Sequence, residues 1–520
     1  MSSHAMAYTS CFQVDSLELD TLEVLCLIRS IRNSFAPINQ IPPEVLSLIP
    51  DYYGEGDGGG EDKMDHDRAL ITLTHVCRSW RKAFTSRSSL WTRLDFKNLD
   101  KTRTYIQRSQ SSPLKMYLGP LQAIHEAFTL VIPHICRLKS LTVDANVWLP
   151  RVLHHFRCNT PLLEKLDISV FAINDRGLDV ALFGGDPSSL RELRLKGIAA
   201  VPPWKNLANL RAVDITSYTH EYATTQLLDL FESAPLLHTV NLAYLMPDSS
   251  DAPLKRIVPL PHLEVFTINA KPPHSILLHH LRIPVGASLI SELRVGNEQP
   301  PLLGDFPENL PNFGNLSHVT TIHLLLTPGK KSVQLSGPSG SLCVIARRER
   351  LGVSSSYTID DQILRSLSDP ILSTIERLAI SGYKCRKSAR VEEYPFFQTF
   401  SSANNLRMLT LVDCTSRFFV RALDPEQNPP KIVLCPNLKE LVLYTSSPSG
   451  PDYKRITSMA KNRASRGTML SSITFVGPGG HAEGEGVFEV SEHVTHVLQR
   501  VGGLPLAWNK IPSEPSGTSE

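Results

Sequence analysis

The sequence lacks paired cysteines, long apolar runs and a strong net charge, and each absence argues against a particular class of protein. Its nine cysteines lie singly, without a Cys-x-x-Cys pair, so no disulfide framework or zinc-ligand spacing is visible. This predicts a reducing, intracellular location, cytoplasmic or nuclear. No run reaches the roughly 18 apolar residues of a membrane span, and no secretory signal is evident at the N-terminus. The net charge of +2 gives no reason to expect nucleic acid or a membrane as a partner.

Catalytic and cofactor-binding motifs are missing as well. The glycine-rich run 477–486 lacks the Lys-Ser/Thr that grips phosphate, and Gly329 to Ser332 lacks the upstream glycine of a phosphate loop. The histidine pairs 154–155 and 279–280 are predicted to be surface or hydrogen-bonded residues, because adjacent side chains point apart. Asp360-Asp361 is predicted to cap a helix. We therefore expect that the chain is not an enzyme and binds neither a cofactor nor a metal ion, although residues distant in sequence could still assemble a catalytic site.

A short apolar motif recurs through most of the chain. It has the form apolar, two residues, apolar, one residue, apolar, and its twelve copies begin at Leu138, Leu163, Leu190, Leu210, Leu237, Leu263, Ile290, Val319, Ile375, Leu406, Leu438 and Leu470. Successive copies start 20 to 32 residues apart, except for one step of 56. That step predicts a degenerate or inserted unit over 327–372, with Leu342–Ile345 as a candidate strand. The period is typical of leucine-rich-repeat-like units of one strand and one helix.

The repeats predict an α/β fold whose main part is an irregular leucine-rich-repeat-like solenoid over residues 97–509. A single unit cannot bury its apolar faces, so neighbours stack, with parallel strands on the concave side and helices on the convex side. Leu90–Phe96 and Leu114–Leu118 are predicted as the first strands, Val487–Val501 as a capping helix and 510–520 as a disordered tail. One late helix is predicted to carry a solvated basic face, formed by Lys454, Arg455, Lys461, Arg463 and Arg466.

The N-terminal part of the chain, residues 1–96, is predicted to be mainly helical. Residues 1–37 are predicted as an extension with one helix, about Leu17 to Phe35, in which Leu22, Leu25 and Ile28 share a face with Phe35. We expect this helix to pack on the following segment; the less favoured alternative is that it binds a partner. In residues 38–96, Pro42 and Pro43 fit a helix start. Farther along, one longer helix is predicted from an apolar stripe at Leu70, Leu73, Cys77, Trp80 and Phe84.

Three ordered pieces in this region carry a family resemblance: Ile41-Pro-Pro-Glu-Val-Leu-Ser-Leu-Ile49, Thr74-His-Val-Cys-Arg-Ser-Trp-Arg81 and Leu90-Trp91. Together they resemble an F-box, most closely the F-box-like domains of mushroom-forming fungi. The resemblance implies a three-helix module over 38–96 that docks on the Skp adaptor of a cullin-RING ubiquitin ligase. The residues that match the motif, and would bind the adaptor, are Pro42, Glu44, Leu46, Ile49, Val76, Cys77, Trp80 and Trp91.

Two hypotheses follow. In the favoured one, the chain is the substrate receptor of a Skp–cullin–F-box-type ubiquitin ligase: the F-box-like domain binds the adaptor, and through it a cullin, while the solenoid binds an unknown target protein. In the alternative, it is a repeat-based binding scaffold with no ligase role, and the helical segment only caps the solenoid. The family usually has Ile-Phe at Ile49-Pro50 and a shorter linker than the acidic insert 54–62, and both departures favour the alternative.

The outward residues of the predicted strands are the candidates for contact with a target. Examples are Arg191, Glu192, Arg194 and Lys196 on one strand, and Lys439 and Glu440 on another. Their charges are mixed in sign, which solubility alone would explain. The sequence therefore assigns no target-binding site.

Overall fold

The structure is a computed structural model in which the chain forms two compact units, Met1–Ile168 with Ala181–Leu190, and Ser169–Val180 with Arg191–Glu520. It describes residues 2–46, 48–49, 62–119, 124–145, 154–170, 182–185, 187–198, 204–217, 221–247, 256–270, 275–295, 313–316, 318–327, 330–348, 367, 369–383, 395–428, 431–445, 452–477, 494 and 496–501. Several predicted features lie outside these residues: Pro50, residues 54–61 of the insert, Asp360-Asp361, the glycine-rich run beyond Gly477 and the tail 510–520.

In the first unit, the described residues form six helices and the first strands. The helices are α1 (Ser2–Ser34), α2 (Pro43–Leu46), α3 (Asp62–His75), α4 (Arg78–Ser86), α5 (Leu99–Ser109) and α6 (Ile124–Val131). The strands are β1 (Arg93–Leu94), β2 (Leu114–Leu118) and β3 (Leu138–Ala145), followed at the boundary of the units by β4 (Lys165–Val170). Strand β2 pairs in parallel with both β1 and β3. The predicted strand Leu114–Leu118 is confirmed, whereas of Leu90–Phe96 only Arg93–Leu94 is a strand, because Leu90 and Trp91 end a short 3-10 helix.

Two N-terminal expectations are corrected. The stripe from Leu70 to Phe84 does not lie on one helix, because α3 ends at His75 and Cys77 is extended, with φ of −158° and ψ of 174°. The side chain of Arg81 spans the break and donates to the carbonyl oxygen of Thr74 at 3.0 Å, which satisfies a helix-end acceptor. The face of α1 predicted to pack on the following segment is exposed at Leu22, Leu25, Ile28 and Phe35.

The described residues of the second unit form strands separated by helices. The strands are β5 (Glu192–Lys196), β6 (Ala212–Thr216), β7 (Glu221–Tyr222), β8 (Thr239–Pro247), β9 (Val258–Pro259), β10 (Val265–Ala270), β11 (Leu281–Arg282), β12 (Ser288–Val295), β13 (Thr321–Thr327), β14 (Lys330–Gly337), β15 (Gly340–Arg348), β16 (Arg377–Ser381), β17 (Met408–Val412), β18 (Glu440–Tyr444), β19 (Ser472–Gly477) and β20 (His496–Val501). The helices are α7 (Thr224–Ser233), α8 (Ser275–His279), α9 (Asp369–Leu372), α10 (Pro395–Ser402), α11 (Ser416–Leu423) and α12 (Tyr453–Ser465).

The main sheet of this unit is mostly parallel. Its neighbours run in the order β5-β6-β8-β10-β12-β15-β14-β13-β16-β17-β18-β19-β20. Only the pairs β15–β14 and β14–β13 are antiparallel. The predicted α/β class, with a large and mostly parallel sheet beside helices, is confirmed.

The motif positions of neighbouring strands stand opposite one another and face the core. The middle motif residues form two rows, each residue paired with the next. Every member is at most 1% exposed: Leu193, Val213, Val240 and Phe266 in one row, and Ile322, Leu378, Leu409, Leu441 and Ile473 in the other. Because side chains alternate between the faces of a strand, this register gives all repeats of the two rows the same buried face.

A ladder of backbone hydrogen bonds repeats just before the strands. In each case, the backbone N–H of the residue after the first motif position donates to the carbonyl oxygen of the equivalent residue in the preceding repeat, at 2.7–2.8 Å. The donor and acceptor pairs are Glu164 to Lys139, Arg211 to Arg191, His238 to Arg211, Glu264 to His238, Arg407 to Glu376, Lys439 to Arg407 and Ser471 to Lys439. Each of these bonds satisfies two polar groups beside a buried apolar position. The distance between neighbouring repeats is therefore set by these backbone hydrogen bonds as well as by packing of the apolar core.

One predicted motif is wrong in register. In β12, Leu289 lies opposite Phe266 and Ser291 lies opposite Ile268, and both Leu289 and Ser291 are buried. Ile290, the predicted first core position, lies opposite Thr267 on the other face. A shift of one residue moves a side chain to the opposite face of a strand. The adjacent apolar pair Leu289-Ile290 allowed either register, and the neighbouring strands select one.

The long step of 56 residues contains an antiparallel meander. Strand β13 pairs with β16 on one side and β14 on the other, and β15 returns to pair in parallel with β12. Strand β13 therefore lies three strand positions from β12, and β14 and β15 occupy the two positions between them in reverse order. The candidate strand Leu342–Ile345 lies within β15.

The prediction of a capping helix over Val487–Val501 is wrong at its C-terminal end, which is the part that the structure describes as a continuous element. Residues His496–Val501 form β20, which pairs in parallel with β19 from Ser472↔His496 to Gly477↔Val501. A short apolar run is ambiguous between helix and strand when read alone. Here the unpaired edge of β19 offers backbone hydrogen bonds, which a strand can accept and donate and a helix cannot.

Candidate functional site

The N-terminal module, residues 38–96, holds all eight residues predicted to bind an adaptor, and the structure separates them by exposure. Three are buried at 1–7% exposure: Leu46, Trp80 and Trp91. Ile49 and Cys77 are half-buried, and Pro42, Glu44 and Val76 are exposed. Adaptor binding stays a prediction for all eight. The exposed ones offer surface to a second molecule, whereas the buried ones pack inside the module.

The indole ring of Trp80 is held in place by a hydrogen bond to Asn39, a residue that the sequence did not indicate. The indole N–H of Trp80 donates to the side-chain oxygen of Asn39 at 2.6 Å, and the amide nitrogen of Asn39 donates to the carbonyl of Asn33 at 2.7 Å. The end of α1, the short 3-10 helix Pro37–Gln40 and α4 are thereby joined through one side chain. Trp80 also meets Phe84 edge to face at 5.7 Å between ring centroids. The buried indole thus has the partner that its N–H requires.

Trp91 packs between the last helix of the module and the helix that follows it. Its indole N–H donates to the carbonyl of Phe84 at 2.9 Å, and its ring lies edge to face with Tyr105 at 5.0 Å. The guanidinium of Arg108 lies over the same ring at 4.4 Å. Tyr105 and Arg108 belong to α5, so Trp91 connects the module to the helix that follows the first strand.

An ionic cluster makes a second connection to α5. The ammonium of Lys101 binds the carboxylates of Asp67, in α3, and of Asp95, the latter at 3.0 Å. Burial acts to lower the pKa of Lys101, but its hydrogen bonds to Asp67 and Asp95 outweigh that effect and hold the pKa above its ordinary value. Burial, and then the two nearby carboxylates, raises the pKa of Tyr105. Because both pKa values are raised, neither Lys101 nor Tyr105 is suited to act as a catalytic base near neutral pH.

Besides Ile38, which is 44% exposed, the described residues of the module leave four large apolar side chains on the surface. They are 40–51% exposed, and we call them the apolar edge: Val45, Leu48, Ile71 and Val76. Val45 belongs to α2, Ile71 to α3, and Val76 lies in the break before α4. Water-exposed apolar side chains of this size favour contact with another apolar surface. These four side chains are therefore candidates for contact with a partner protein.

The sheet face opposite the motif residues changes character along the second unit. Among the earlier strands it is polar: Arg194 forms an ion pair with Asp214 at 3.1 Å, and Asp214 accepts from Asn241 at 3.1 Å. Asn269 donates to Glu292 at 3.1 Å. On β16 to β19 the same face carries the paired row Ala379, Thr410, Val442 and Thr474. Of the predicted target-facing residues, Lys196 is half-buried and the other five are exposed.

One of the five basic residues predicted on a solvated face is buried. Lys454, Arg455, Lys461 and Arg466 are exposed on or just after α12, but Arg463 is 0% exposed. Its guanidinium donates to the carbonyls of Leu434 at 2.9 Å and Cys435 at 2.8 Å. Burial lowers the pKa of Arg463. The loop 424–435 thus uses an arginine from the next helix to satisfy its carbonyls, a long-range role that helical periodicity does not indicate.

The histidine pairs have structural surroundings. His155 stacks on Phe128 with 4.5 Å between ring centroids, and the Nδ1 of His280 lies 2.8 Å from the carbonyl oxygen of Arg256. Within the part of the chain that the structure describes, no three His, Cys, Asp or Glu side chains are grouped to hold a metal ion. Over the same residues, no helix is both long and apolar enough to cross a membrane.

No protein-family model matches this chain, and no curated protein does.

Proposed function

We propose that this chain is the substrate-receptor subunit of a Skp–cullin–F-box-type ubiquitin ligase. The observation that carries the proposal is the division of the F-box-like signature within the N-terminal module. Leu46, Trp80 and Trp91 pack inside it, and the apolar edge remains on the surface. A docking domain needs both, because buried signature residues shape the module and exposed apolar ones contribute the binding energy.

In this proposal the apolar edge, which includes Val76, contacts the adaptor together with the exposed Pro42 and Glu44 and the half-buried Ile49 and Cys77. Through the adaptor the chain joins a cullin. Ubiquitin transfer belongs to other subunits, and this chain contributes proximity: tethering raises the effective concentration of a target lysine to around millimolar for a short tether. Such a subunit is not an enzyme and works without a cofactor, in the cytoplasm or nucleus.

We propose that the second unit is an irregular leucine-rich-repeat-like solenoid that binds the target protein. The in-register motif rows and the repeated backbone ladder support this, because both describe one structural unit stacked on its neighbour. The face opposite the motif residues is the proposed contact surface. Its charged end at Arg194 and Asp214 and its uncharged end at the half-buried Thr410 and Val442 suit a target that presents a charged patch beside an uncharged one.

A second candidate is a repeat-based scaffold with no ligase role. The departures from the family pattern at Ile49-Pro50 and in the acidic insert 54–62 favour it, and the burial of Trp80 and Trp91 fits the core of a capping module equally well. The two candidates differ in the purpose of the apolar edge. A receptor needs these side chains for docking, whereas a cap does not.

The test is co-purification of the full chain with the Skp adaptor of its own organism. The informative variant is Val45→Asp with Val76→Asp, which changes two exposed residues and leaves the buried ones in place. The matched control is Val285→Asp, an exposed valine of the second unit. We expect binding by the unchanged chain and the control, and at least a tenfold weaker interaction for the double variant, because a charge is placed against an apolar contact.

Two results would contradict the proposal. One is a folded chain, verified by circular dichroism, that does not retain the adaptor at all. The other is binding that survives the double variant unchanged, which would remove the apolar edge from the interaction. The scaffold function would then be favoured.

A further inference from the structure

Helix α1 carries an apolar stripe that the described part of the chain leaves uncovered. Its members are 52–73% exposed, apart from a threonine at one position, and we call them the α1 stripe: Leu17, Thr21, Val24, Ile28, Ile31 and Phe35. They alternate four and three residues apart, the spacing at which helices pack against each other as a coiled coil. Phe35 follows the last turn, and its N–H still donates to the carbonyl of Arg32 at 3.3 Å.

The charges on this helix are sorted by sign. Between residues 16 and 34, the acidic residues Glu18, Asp20 and Glu23 all precede the basic residues Arg29 and Arg32. Among the described residues, neither Glu18 nor Arg32 has an ion-pair partner. They are 14 positions apart, or about 21 Å along a helix at 1.5 Å per residue, so they cannot pair within one helix.

We propose that α1 binds α1 of a second copy of this chain, as an antiparallel two-helix coiled coil. The stripe is self-complementary in that direction. With the two helices centred on residue 26, Leu17 packs against Phe35 of the second copy, Thr21 against Ile31 and Val24 against Ile28. Each of these layers occurs twice because the pairing is symmetric. All six stripe positions of each helix are used, whereas Leu19 and Leu22, which are 63% and 55% exposed, lie outside the contact.

The flanking residues select the antiparallel direction. On one side of the stripe, Glu18 of each copy stands beside Arg32 of the other, which gives two ion pairs, and Leu25 meets Leu25. On the other side, Leu27 meets Leu27. In a parallel pairing, the flanking contacts are Asp20 with Leu25 and Leu27 with Arg32, which leaves both charges without partners beside apolar side chains. The acidic and basic halves therefore complement each other only when the helices run in opposite directions.

This inference goes beyond the proposed function and does not depend on it. A substrate receptor and a scaffold would both become bivalent, with two target-binding units in one particle. The contact requires no residue of the apolar edge or of the sheet, so dimerisation and adaptor binding can be tested separately.

The experiment is sedimentation of the full chain over a range of concentrations. We expect a monomer–dimer equilibrium in the unchanged chain. Glu18→Arg and Arg32→Glu each replace two attractive contacts by two repulsive ones, and we expect each to weaken the dimer by about tenfold or more. Both residues are exposed, so folding is not at risk. A mixture of the two single variants should dimerise again, because each heterodimer restores both ion pairs.

The mixture distinguishes this pairing from other occupants of the stripe. A different protein bound to α1, or another segment of the same chain, cannot be restored by mixing two variants of this chain. Ile28→Asp should abolish the dimer, whereas Ile257→Asp, at an exposed isoleucine of the second unit, should leave it intact. A chain that stays monomeric at every concentration, a dimer indifferent to the single charge reversals, or a mixture as weak as its components would overturn the proposal.

Discussion

The indole N–H of Trp80 and the side-chain oxygen of Asn39 are 2.6 Å apart, although 41 residues separate them in the chain. The same asparagine donates to the carbonyl of Asn33. One amide side chain therefore holds the end of α1 against the interior of the N-terminal module. Because Trp80 is buried, loss of its acceptor leaves an indole N–H without a partner.

The first prediction concerns this bond. Asn39→Leu should lower the free energy of unfolding of the module by about 1–3 kcal/mol, the cost of an unsatisfied buried donor. In the Trp80→Phe background the same substitution should cost less, because the donor is already gone. Urea denaturation of the four chains of this double-mutant cycle measures the difference. An additive cycle would show that the bond does not stabilise the module. Asn404→Leu, at an exposed asparagine, is the control.

The second prediction concerns the buried arginine. Arg463→Met keeps an unbranched side chain but removes the donors that satisfy the carbonyls of Leu434 and Cys435. We expect a loss of stability of about 2 kcal/mol or more, since two buried acceptors lose their partners. Lys461→Met, on the exposed side of the same helix, should change stability by no more than about 0.5 kcal/mol. Equal effects of the two substitutions in urea denaturation would contradict the assignment of Arg463 to the loop.

The third prediction concerns two buried thiols and pH. Burial raises the pKa of Cys414 and that of Cys435 from 9.0 to about 12. In the unfolded chain the thiols ionise near pH 9, while in the folded chain they stay protonated. Their contribution to stability is therefore complete below pH 9 and is lost as the pH rises toward 12, by about 1.4 kcal/mol per pH unit for each thiol.

The measurement is the free energy of unfolding at several pH values above 8. The double variant Cys414→Ala, Cys435→Ala should show a shallower decline than the unchanged chain, because the lysines and tyrosines that also titrate there are common to both. Cys136→Ala, at an exposed cysteine, should leave the slope as it is. Parallel curves for the unchanged chain and the double variant would contradict the prediction.

The fourth prediction compares two glycines in the left-handed region. Gly197 has φ of +69°, and a Cβ built on it would collide with the carbonyl oxygen of Val170. Gly467 has φ of +75°, but nothing lies within 4 Å of its Cβ position. Gly467→Ala should cost about 1 kcal/mol for the conformation alone. Gly197→Ala should cost more than that, because the backbone must also move, and comparable melting temperatures for the two variants would argue against the close approach.

Much of the sheet could be read from the sequence, because its information is local. The apolar motif marks each strand and its buried face by the two-residue period, and neighbours such as Leu409 and Leu441 then stand opposite one another. The motif failed at Ile290, where two adjacent apolar residues fit either face. It also could not show the reversed order of β13, β14 and β15, since the order of strands depends on which edge a segment reaches.

The N-terminal module shows the same limit at a candidate site. Its signature residues Leu46, Trp80 and Trp91 are apparent in the sequence, but their identity does not say which of them remains on the surface. Asn39 carries no local signal at all, because an asparagine in a turn is ordinary. Only its position beside the indole of Trp80 gives it a role.

The sequence by itself determined the repeated strand pattern, the α/β class and the chemistry of each side chain, because these depend on spacing and residue type. The tertiary structure alone decided which residues are buried and what they meet. Arg463 belongs to a helix whose other basic residues are in water, yet its guanidinium binds carbonyls 28 and 29 residues away. Burial and partnership between distant residues are properties of packing, and packing depends on every neighbouring element at once.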